Sequence, residues 1–279
     1  MDLKDKLEKY INNIFFKSIK NHKIREMVLY ALDGGKKIRS LIVMELSYKL
    51  FNKYLYDIAI SVELIHTCSL LMDDLPMMDN DNYRRNKLSF HKKYGVFNTK
   101  MIVFYLLGKS IQLVNDCNET KDINNMECIN SILLEIQKAC LGQYYDLNKK
   151  EHINIEPKIY IKLKTAPFFT LAFILPVLIK NNINIDISNK YYLLSEYFSM
   201  AFQICDDIED VKKDGKDSLN YVIKYGFEKS CNDYNFNMML FEKLLIDMEL
   251  KTDFFVKLIE KINNKYTINV EYFNKRINQ

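Results

Sequence analysis

The chain has 279 residues, with 40 basic and 36 acidic side chains and a net charge of +4. That length can bury a sizeable core, and so mild a charge gives no electrostatic reason to expect nucleic acid as a partner. Seven glycines and four prolines allow few turns, so the chain reads as mostly helical.

Six cysteines, Cys68, Cys117, Cys128, Cys140, Cys205 and Cys231, form no CxxC pair. They read as reduced, mostly buried thiols rather than a zinc site or a disulfide framework. The opening MDLKDKLEKYI carries early acids and no continuous apolar core, which suits neither a secretory signal nor a transit peptide; a cytoplasmic location is expected. The longest apolar run, APFFTLAFILPVLI at 166–179, has 14 residues. A bilayer needs roughly 20, so this reads as a buried core helix, and no transmembrane segment is expected.

In chain order, residues 2–20 predict a helix, with Leu3, Leu7, Ile11 and Ile14 on one stripe. A second helix over 22–33 ends at Gly34-Gly35, and a third spans 38–51. Leu55, Ile58, Ala59, Val62, Ile65 and Ser69 then predict a helix with one buried face, delivering Asp73 and Asp74 at its C-terminal end. Pro76 breaks the pattern, leaving LPMMDNDNYRRNK irregular. Further helices are predicted at 95–115, 123–147, 156–164, 166–180, 188–212 and 236–262, with loops near 118–124 and 212–219 and a surface connection at NNINIDISN. Neither a repeat nor a Pro-, Gly- or Ser-rich linker divides the chain, so the expectation is one all-α domain over 1–279.

Three groups of residues carry chemistry. Asp73, Asp74, Asp79 and Asp81 crowd carboxylates at a helix C-terminus, where they repel one another and oppose the macrodipole. Divalent cations would reverse that penalty. Mg²⁺ suits the site because it takes one or two carboxylates and keeps positions for water and phosphate. The second group is FQICDDIED, where Asp206, Asp207 and Asp210 end another apolar helix whose stripe reads Leu193, Leu194, Tyr197, Ala201 and Ile204. Asp206 and Asp210 stand four apart and share one helical face. The third group is basic: Lys36, Lys37 and Arg39 beside two glycines, then Arg84, Arg85 and His91. Lysine and arginine suit phosphate. Acidic clusters for metal beside basic groups for phosphate imply a diphosphate-bearing substrate, and the lack of a Walker loop or GxGxxG disfavours a nucleotide.

Taken together, this pattern resembles the all-helical trans-prenyl diphosphate synthases. GGKKIRS is similar to the family's GGKRLRP, DDLPMMD to its first aspartate-rich motif DDxxxxD, and RRNKLSFH to RRGKPTNH. GQYYD at 142–146 resembles GQxxD, KTAPFF resembles the following KT motif, and FQICDDIED resembles FQxxDDxxD. The resemblance implies an isoprenoid-synthase bundle around a central hydrophobic cavity. The implied activity is head-to-tail 1′–4 condensation of isopentenyl diphosphate with an allylic diphosphate, yielding a short-chain all-trans product, farnesyl or geranylgeranyl diphosphate. It also implies a homodimer and Mg²⁺, in the family's usual set of three ions.

Residue by residue, the resemblance assigns metal to Asp73, Asp74, Asp79, Asp206, Asp207 and Asp210. It assigns isopentenyl diphosphate to Lys36, Arg39, His91 and Arg85, and the allylic diphosphate to Arg84 and Lys164. Thr165 and Gln203 would lie near developing positive charge, as catalytic residues together with Lys164. Ser40 stands where the family has proline and Asn86 where it has glycine; asparagine tolerates left-handed backbone, which preserves the turn. Met72 replaces a common histidine. A diphosphate-binding lysine of the family aligns with Ser218, with Lys212, Lys216 and Lys224 nearby.

Within the resemblance, a bulky residue upstream of the first motif floors the product tunnel. Cys68 lies five residues before Asp73, roughly 7.5 Å back along a helix, with Ser69 beside it. A small residue there implies a deeper floor and a twenty-carbon product over a fifteen-carbon one, unless Phe97, Phe104 or Tyr105 closes the tunnel instead. Two other readings stay open. A non-catalytic regulatory subunit of a heteromeric synthase would tend to lose aspartates that this chain keeps. A class I terpene cyclase would not need Lys36, Arg39 and His91.

Overall fold

The structure, a computed structural model, describes residues 2–117, 125–148, 155–180, 184–211 and 219–277. The predicted loop at 118–124 and the positions Lys212, Lys216 and Ser218 lie outside the described residues. The fold is all-α, its described strands being one short hairpin. Among the described residues no single helix is long and apolar enough to cross a membrane. The chain contacts cluster into two compact units, Met1–Leu133 with Leu175–Asn182, and Leu134–Ile174 with Ile183–Gln279.

The first unit begins with α1 (Leu3–Tyr10), a π-helical turn at Ile11–Phe15 and α2 (Phe16–Ser18). The π turn takes up an extra residue and corrects the expected stripe: Phe15 and Phe16 are buried, whereas Ile14 is exposed. Next come α3 (His22–Leu32), α4 (Ile38–Phe51) and α5 (Tyr56–Asp73). The expected one-sided burial of α5 is also corrected. Every residue from Ile58 to Ile65 is buried, because α5 packs against α3, α4 and α6 (Phe90–Asp116).

Beyond α5, β1 (Tyr83–Arg84) pairs antiparallel with β2 (Lys87–Leu88). Their two-residue turn is Arg85-Asn86, with φ of 54° and 62°. Both central residues are left-handed, the type I′ geometry that matches strand twist, and Asn86 serves there as expected. Helix α6 starts at Phe90 rather than 95 and bends at Gly95, whose φ is 83°; a residue at that φ is best served by glycine.

Helix α7 (Asn125–Leu147) and helix α9 (Ala166–Ile179) contribute to both units; α8 (Pro157–Lys164), α10 (Ile185–Asp210), α11 (Tyr221–Tyr225), α12 (Phe227–Asp247) and α13 (Asp253–Ile277) belong to the second. Helix α10 starts inside the expected surface connection, where Asn184 caps it by accepting from the Asp186 N–H. Its buried stripe runs through Tyr191, Leu194, Phe198, Ala201, Ile204 and Ile208, with Leu193 exposed. Phe198 meets Phe169 edge-on at 4.9 Å and Phe241 at 5.1 Å, forming the aromatic core. The helix expected over 236–262 is two helices. Glu249 is left-handed (φ 56°), and the Leu250 N–H returns to the Leu245 carbonyl at 2.8 Å, closing α12 without a glycine.

Candidate active site

In the first unit, the end of α5 places the first aspartate cluster. The chain curls back after Asp73, so that the Asp79 N–H donates to the Asp73 carbonyl (2.9 Å) and the Asn80 N–H to the Leu75 carbonyl (3.1 Å). This curl returns the last motif aspartate to the first, which is how a motif longer than DDxxD still forms one cluster. Asp74 is buried and accepts from Arg84 Nε at 2.8 Å and from Arg84 Nη2; the same guanidinium reaches Asp81 at 3.2 Å.

The glycine pair opposes this cluster with cations. Arg85 Nη1 donates to the carbonyls of Asp33 and Gly34, each at 3.3 Å. A Cβ on Gly35 would lie 2.6 Å from the Arg85 guanidinium carbon, so the missing side chain is what lets Arg85 lie along the loop. Lys36 is exposed, whereas Lys37 is buried, with its backbone left-handed at φ 53° as the N-cap of α4. The Lys37 ammonium donates to the Leu32 carbonyl (2.5 Å) and to Glu63 (3.1 Å). Ser40 donates to the Ala59 carbonyl (2.9 Å) and Glu63 Oε2 (3.0 Å). A serine at the family's proline position therefore helps satisfy a buried glutamate. Burial pushes the Glu63 carboxyl up, but attraction to Lys37 and, farther off, Arg85 and Arg39 outweighs it and holds the group below the ordinary range.

Two turns before Asp73, His66 accepts from Arg39 Nη1 at 3.2 Å. Burial and then the charges of Arg39, Arg85, Lys37 and Arg84 hold the imidazole well below its usual range, so it stays neutral. His66 was not among the expected site residues, although its i, i+7 spacing to Asp73 puts it on the same face of α5. His91 is buried beside Ser89, with Nδ1 3.1 Å from Ser89 Oγ and Nε2 without a hydrogen-bond partner. A pocket lined by Tyr30, Thr67, Asp74, Arg84, Arg85 and Lys87 opens between these groups; His91 and Lys36 are not part of its lining.

The second unit brings the remaining motifs together. Helix α8 ends at Lys164, whose ammonium pairs with Asp146, so the last residue of GQYYD meets the lysine of KTAPFF. Gly142 makes that approach possible: a Cβ there would lie 2.6 Å from the Lys164 backbone nitrogen. Thr165 Oγ1 donates to Gln203 Oε1 (2.6 Å), and Gln203 Nε2 donates to Asp207 Oδ1 (2.8 Å). Asp207 also accepts from the Tyr221 N–H at 2.7 Å. Both of its carboxylate oxygens thus accept a hydrogen bond from the protein. Asp206 and Asp210 are half-buried on α10, and Lys265 of α13 pairs with Asp206 and, at 2.9 Å, with Glu209.

Among the described residues no group of three or more His, Cys, Asp or Glu side chains is arranged to hold a metal. The donor chemistry nonetheless fits a hard divalent cation, since each cluster presents carboxylate oxygens only. At the second cluster burial raises the Asp206 carboxyl; Lys265 opposes this, and Glu209 and Asp210 add to it. A divalent cation would relieve that crowding.

Cys68 is buried, its Sγ 3.5 Å from the Val103 carbonyl of α6, and its thiol is pushed up to about 12 by burial. Ser69 donates back to the His66 carbonyl at 2.8 Å. Phe97 and Phe104 are 72% and 71% exposed.

Residues 21–222 match the sequence profile of a family described as polyprenyl synthetase. A farnesyl diphosphate synthase of Buchnera aphidicola subsp. Acyrthosiphon pisum (strain APS) is 31% identical over 203 residues, 70% of this chain and 72% of that protein. A trans-prenyltransferase of African swine fever virus (isolate Tick/South Africa/Pretoriuskop Pr4/1996) is 27% identical over 277 residues, 93% of this chain and 82% of its own. Among solved structures, a geranyltranstransferase from Thermotoga maritima superposes with a TM-score of 0.78 at 27% identity, covering 95% of this chain and 97% of that one.

Proposed function

The chain belongs to the polyprenyl synthetase family, and from that premise we propose that it joins isopentenyl diphosphate head to tail to an allylic diphosphate as one synthase domain over residues 1–279. The observation that carries this reading is the basic set beside the first aspartate cluster: Arg84 and Arg85 line one pocket with Asp74, and Arg39 reaches His66 two turns before Asp73. A terpene cyclase has no second diphosphate for such a set to hold, and a non-catalytic subunit has no use for two intact aspartate clusters.

In the proposed reaction Arg85, Arg39 and the exposed Lys36 bind the diphosphate of the isopentenyl substrate, with His66 and the Glu63–Lys37 pair fixing the loop that carries them. His91 closes the same basic group from the start of α6. Arg84 and Lys164 hold the allylic diphosphate. Asp73, Asp74, Asp79, Asp206, Asp207 and Asp210 would hold Mg²⁺, in a set of three ions, and Asp207 also orients Gln203. When bound, Mg²⁺ supplies Lewis-acid neutralisation of the departing diphosphate. As the allylic carbon–oxygen bond breaks, the oxygens of Thr165 and Gln203 face the growing positive charge. The isopentenyl double bond forms the new carbon–carbon bond, and a proton leaves to the released diphosphate.

The small side chain of Cys68 supports a twenty-carbon product, geranylgeranyl rather than farnesyl diphosphate. A homodimer belongs to the proposal: α6 exposes Phe97, Met101 and Phe104 at i, i+4 and i+7, one apolar face suited to a second copy.

Steady-state kinetics of Arg85→Ala test the assignment. Loss of a charge-assisted phosphate contact, about 1.5–3 kcal/mol, raises KM for isopentenyl diphosphate roughly tenfold or more and leaves KM for the allylic substrate nearly unchanged. An equal rise in both would contradict the assignment.

A further inference from the structure

Lys265 belongs to none of the motifs, yet it reaches the second aspartate cluster from the last helix. Its ammonium contacts Asp206 Oδ1 and lies 2.9 Å from Glu209 Oε2. The contact is held in place by the helix that carries it. One turn further along α13, the buried Asn269 donates to the Cys205 carbonyl at 2.9 Å. Beside it, Tyr266 stacks on Tyr234 with ring centroids 3.7 Å apart. The first contact fixes α13 against α10 beside Asp206, and the second fixes it against α12.

The C-terminal turn of α10 carries Asp206, Asp207, Glu209 and Asp210, at the negative end of its dipole. Asp207 is turned into the protein toward Gln203 and Tyr221. The carboxylates left on the outer side need a counter-ion before any substrate arrives, and Lys265 meets two of them. One of these, Asp206, is the residue that a divalent cation would use. The same Oδ1 atom cannot carry a close ammonium contact and a metal bond without one weakening the other.

We propose that Lys265 is the resident counter-ion of the second aspartate cluster, a positioning residue that stabilises the metal-free site and sets how tightly that cluster takes a divalent cation. It rests on the reading that Asp206 is a metal ligand. A cation held by Asp206 would compete with the Lys265 ammonium for that oxygen, and Glu209 would keep the ammonium nearby. The first cluster has its own cation, Arg84 on Asp74, so the two clusters load under different control.

The test uses the full chain without substrates and reads Mn²⁺ binding directly, from the electron paramagnetic resonance signal of free Mn²⁺. Lys265→Met keeps the aliphatic stem and removes the charge. It is expected to bind Mn²⁺ at the second cluster about fivefold more tightly than wild type, the scale of a partly exposed ion pair. Lys265→Arg is expected to restore the wild-type value. Without metal the Lys265→Met protein is expected to melt lower than wild type and to gain more from added Mg²⁺. Asp206→Asn separates the two levels of the reading. If it binds Mn²⁺ as wild type does, Asp206 is not a ligand and the underlying assignment fails. If it loses a site while Lys265→Met binds as wild type or more weakly, the counter-ion proposal alone is overturned. Lys265→Gln, with circular dichroism as a folding check, replaces Lys265→Met should that variant not fold.

Discussion

Glu63→Gln removes one charge from the middle of α5, and the structure sets the size of the effect. The Glu63 side chain is 3% exposed and that of Lys37 4%. With the carboxylate gone, the Lys37 ammonium is left buried with only the Leu32 carbonyl and a neutral amide near it. Breaking a buried pair from one side costs about 3–5 kcal/mol. Glutamine can still accept from Ser40, which places the expected loss near the lower end, about 3 kcal/mol, a large share of a domain's total stability. Urea unfolding at pH 7, followed by far-ultraviolet circular dichroism, reads this as a lower midpoint at unchanged slope. The double variant Lys37→Met, Glu63→Leu removes both charges and is expected to be more stable than Glu63→Gln alone. Because the folded Glu63 carboxyl lies below the unfolded value of 4.5, its stabilisation is present above that pH and is lost as pH falls through the folded value. Glu63→Gln should lack this part of the acid sensitivity. A loss below about 1 kcal/mol, or a double variant weaker than the single one, would show that the Lys37–Glu63 pair does not stabilise the fold.

Gly142→Ala would drive a Cβ into the backbone of Leu163 and Lys164, so a stability loss of about 1–3 kcal/mol is expected from overpacking. Displacement of Lys164 and Thr165 should lower kcat/KM by roughly tenfold or more; unchanged kinetics would show that α7 and α8 do not rely on this contact. Cys68→Tyr is expected to shorten the product, read by chromatography of the dephosphorylated prenols, and an unchanged product would remove Cys68 as a length determinant. His66, depressed chiefly by burial and by Arg39, gives a pH signature. The unfolded chain takes up a proton near 6.5 and the folded chain only well below it, so stability falls as pH drops below 6.5, by about 1.4 kcal/mol per pH unit at most for one group. Thermal melts between pH 7.5 and 5.5 should be flatter for His66→Asn; equal slopes would show that His66 titrates normally in the fold.

The aspartate clusters, the KT pair and the helix boundaries around them were legible because each rests on local spacing. Asp206 and Asp210 share a face by arithmetic, and Asn86 accepts the left-handed turn that its side chain tolerates. What escaped were features set by packing between elements. The π turn at Ile11–Phe15 rotates the stripe off Ile14, and no residue type announces it. The break at Met248–Glu249 carries neither glycine nor proline, so the long helix expected there had no visible stop. Lys37, Glu63 and Ser40 read as unrelated residues until α4 and α5 pack. His66 carries a sequence signal in its spacing to Asp73, but it lies outside any motif, whereas His91 lies inside one. Asp207 and Lys265 show the limit of motif reading: one motif carboxylate faces inward, and the cation on its neighbour comes from a helix with no motif at all.

The most direct measurement of the central claim is incubation of the purified chain with Mg²⁺, isopentenyl diphosphate and, separately, five-, ten- and fifteen-carbon allylic diphosphates, followed by product analysis. Elongation of each primer to an all-trans prenyl diphosphate, ending at twenty carbons, is the predicted result. Absence of any elongated product from every primer, with the protein folded and metal present, would contradict the account.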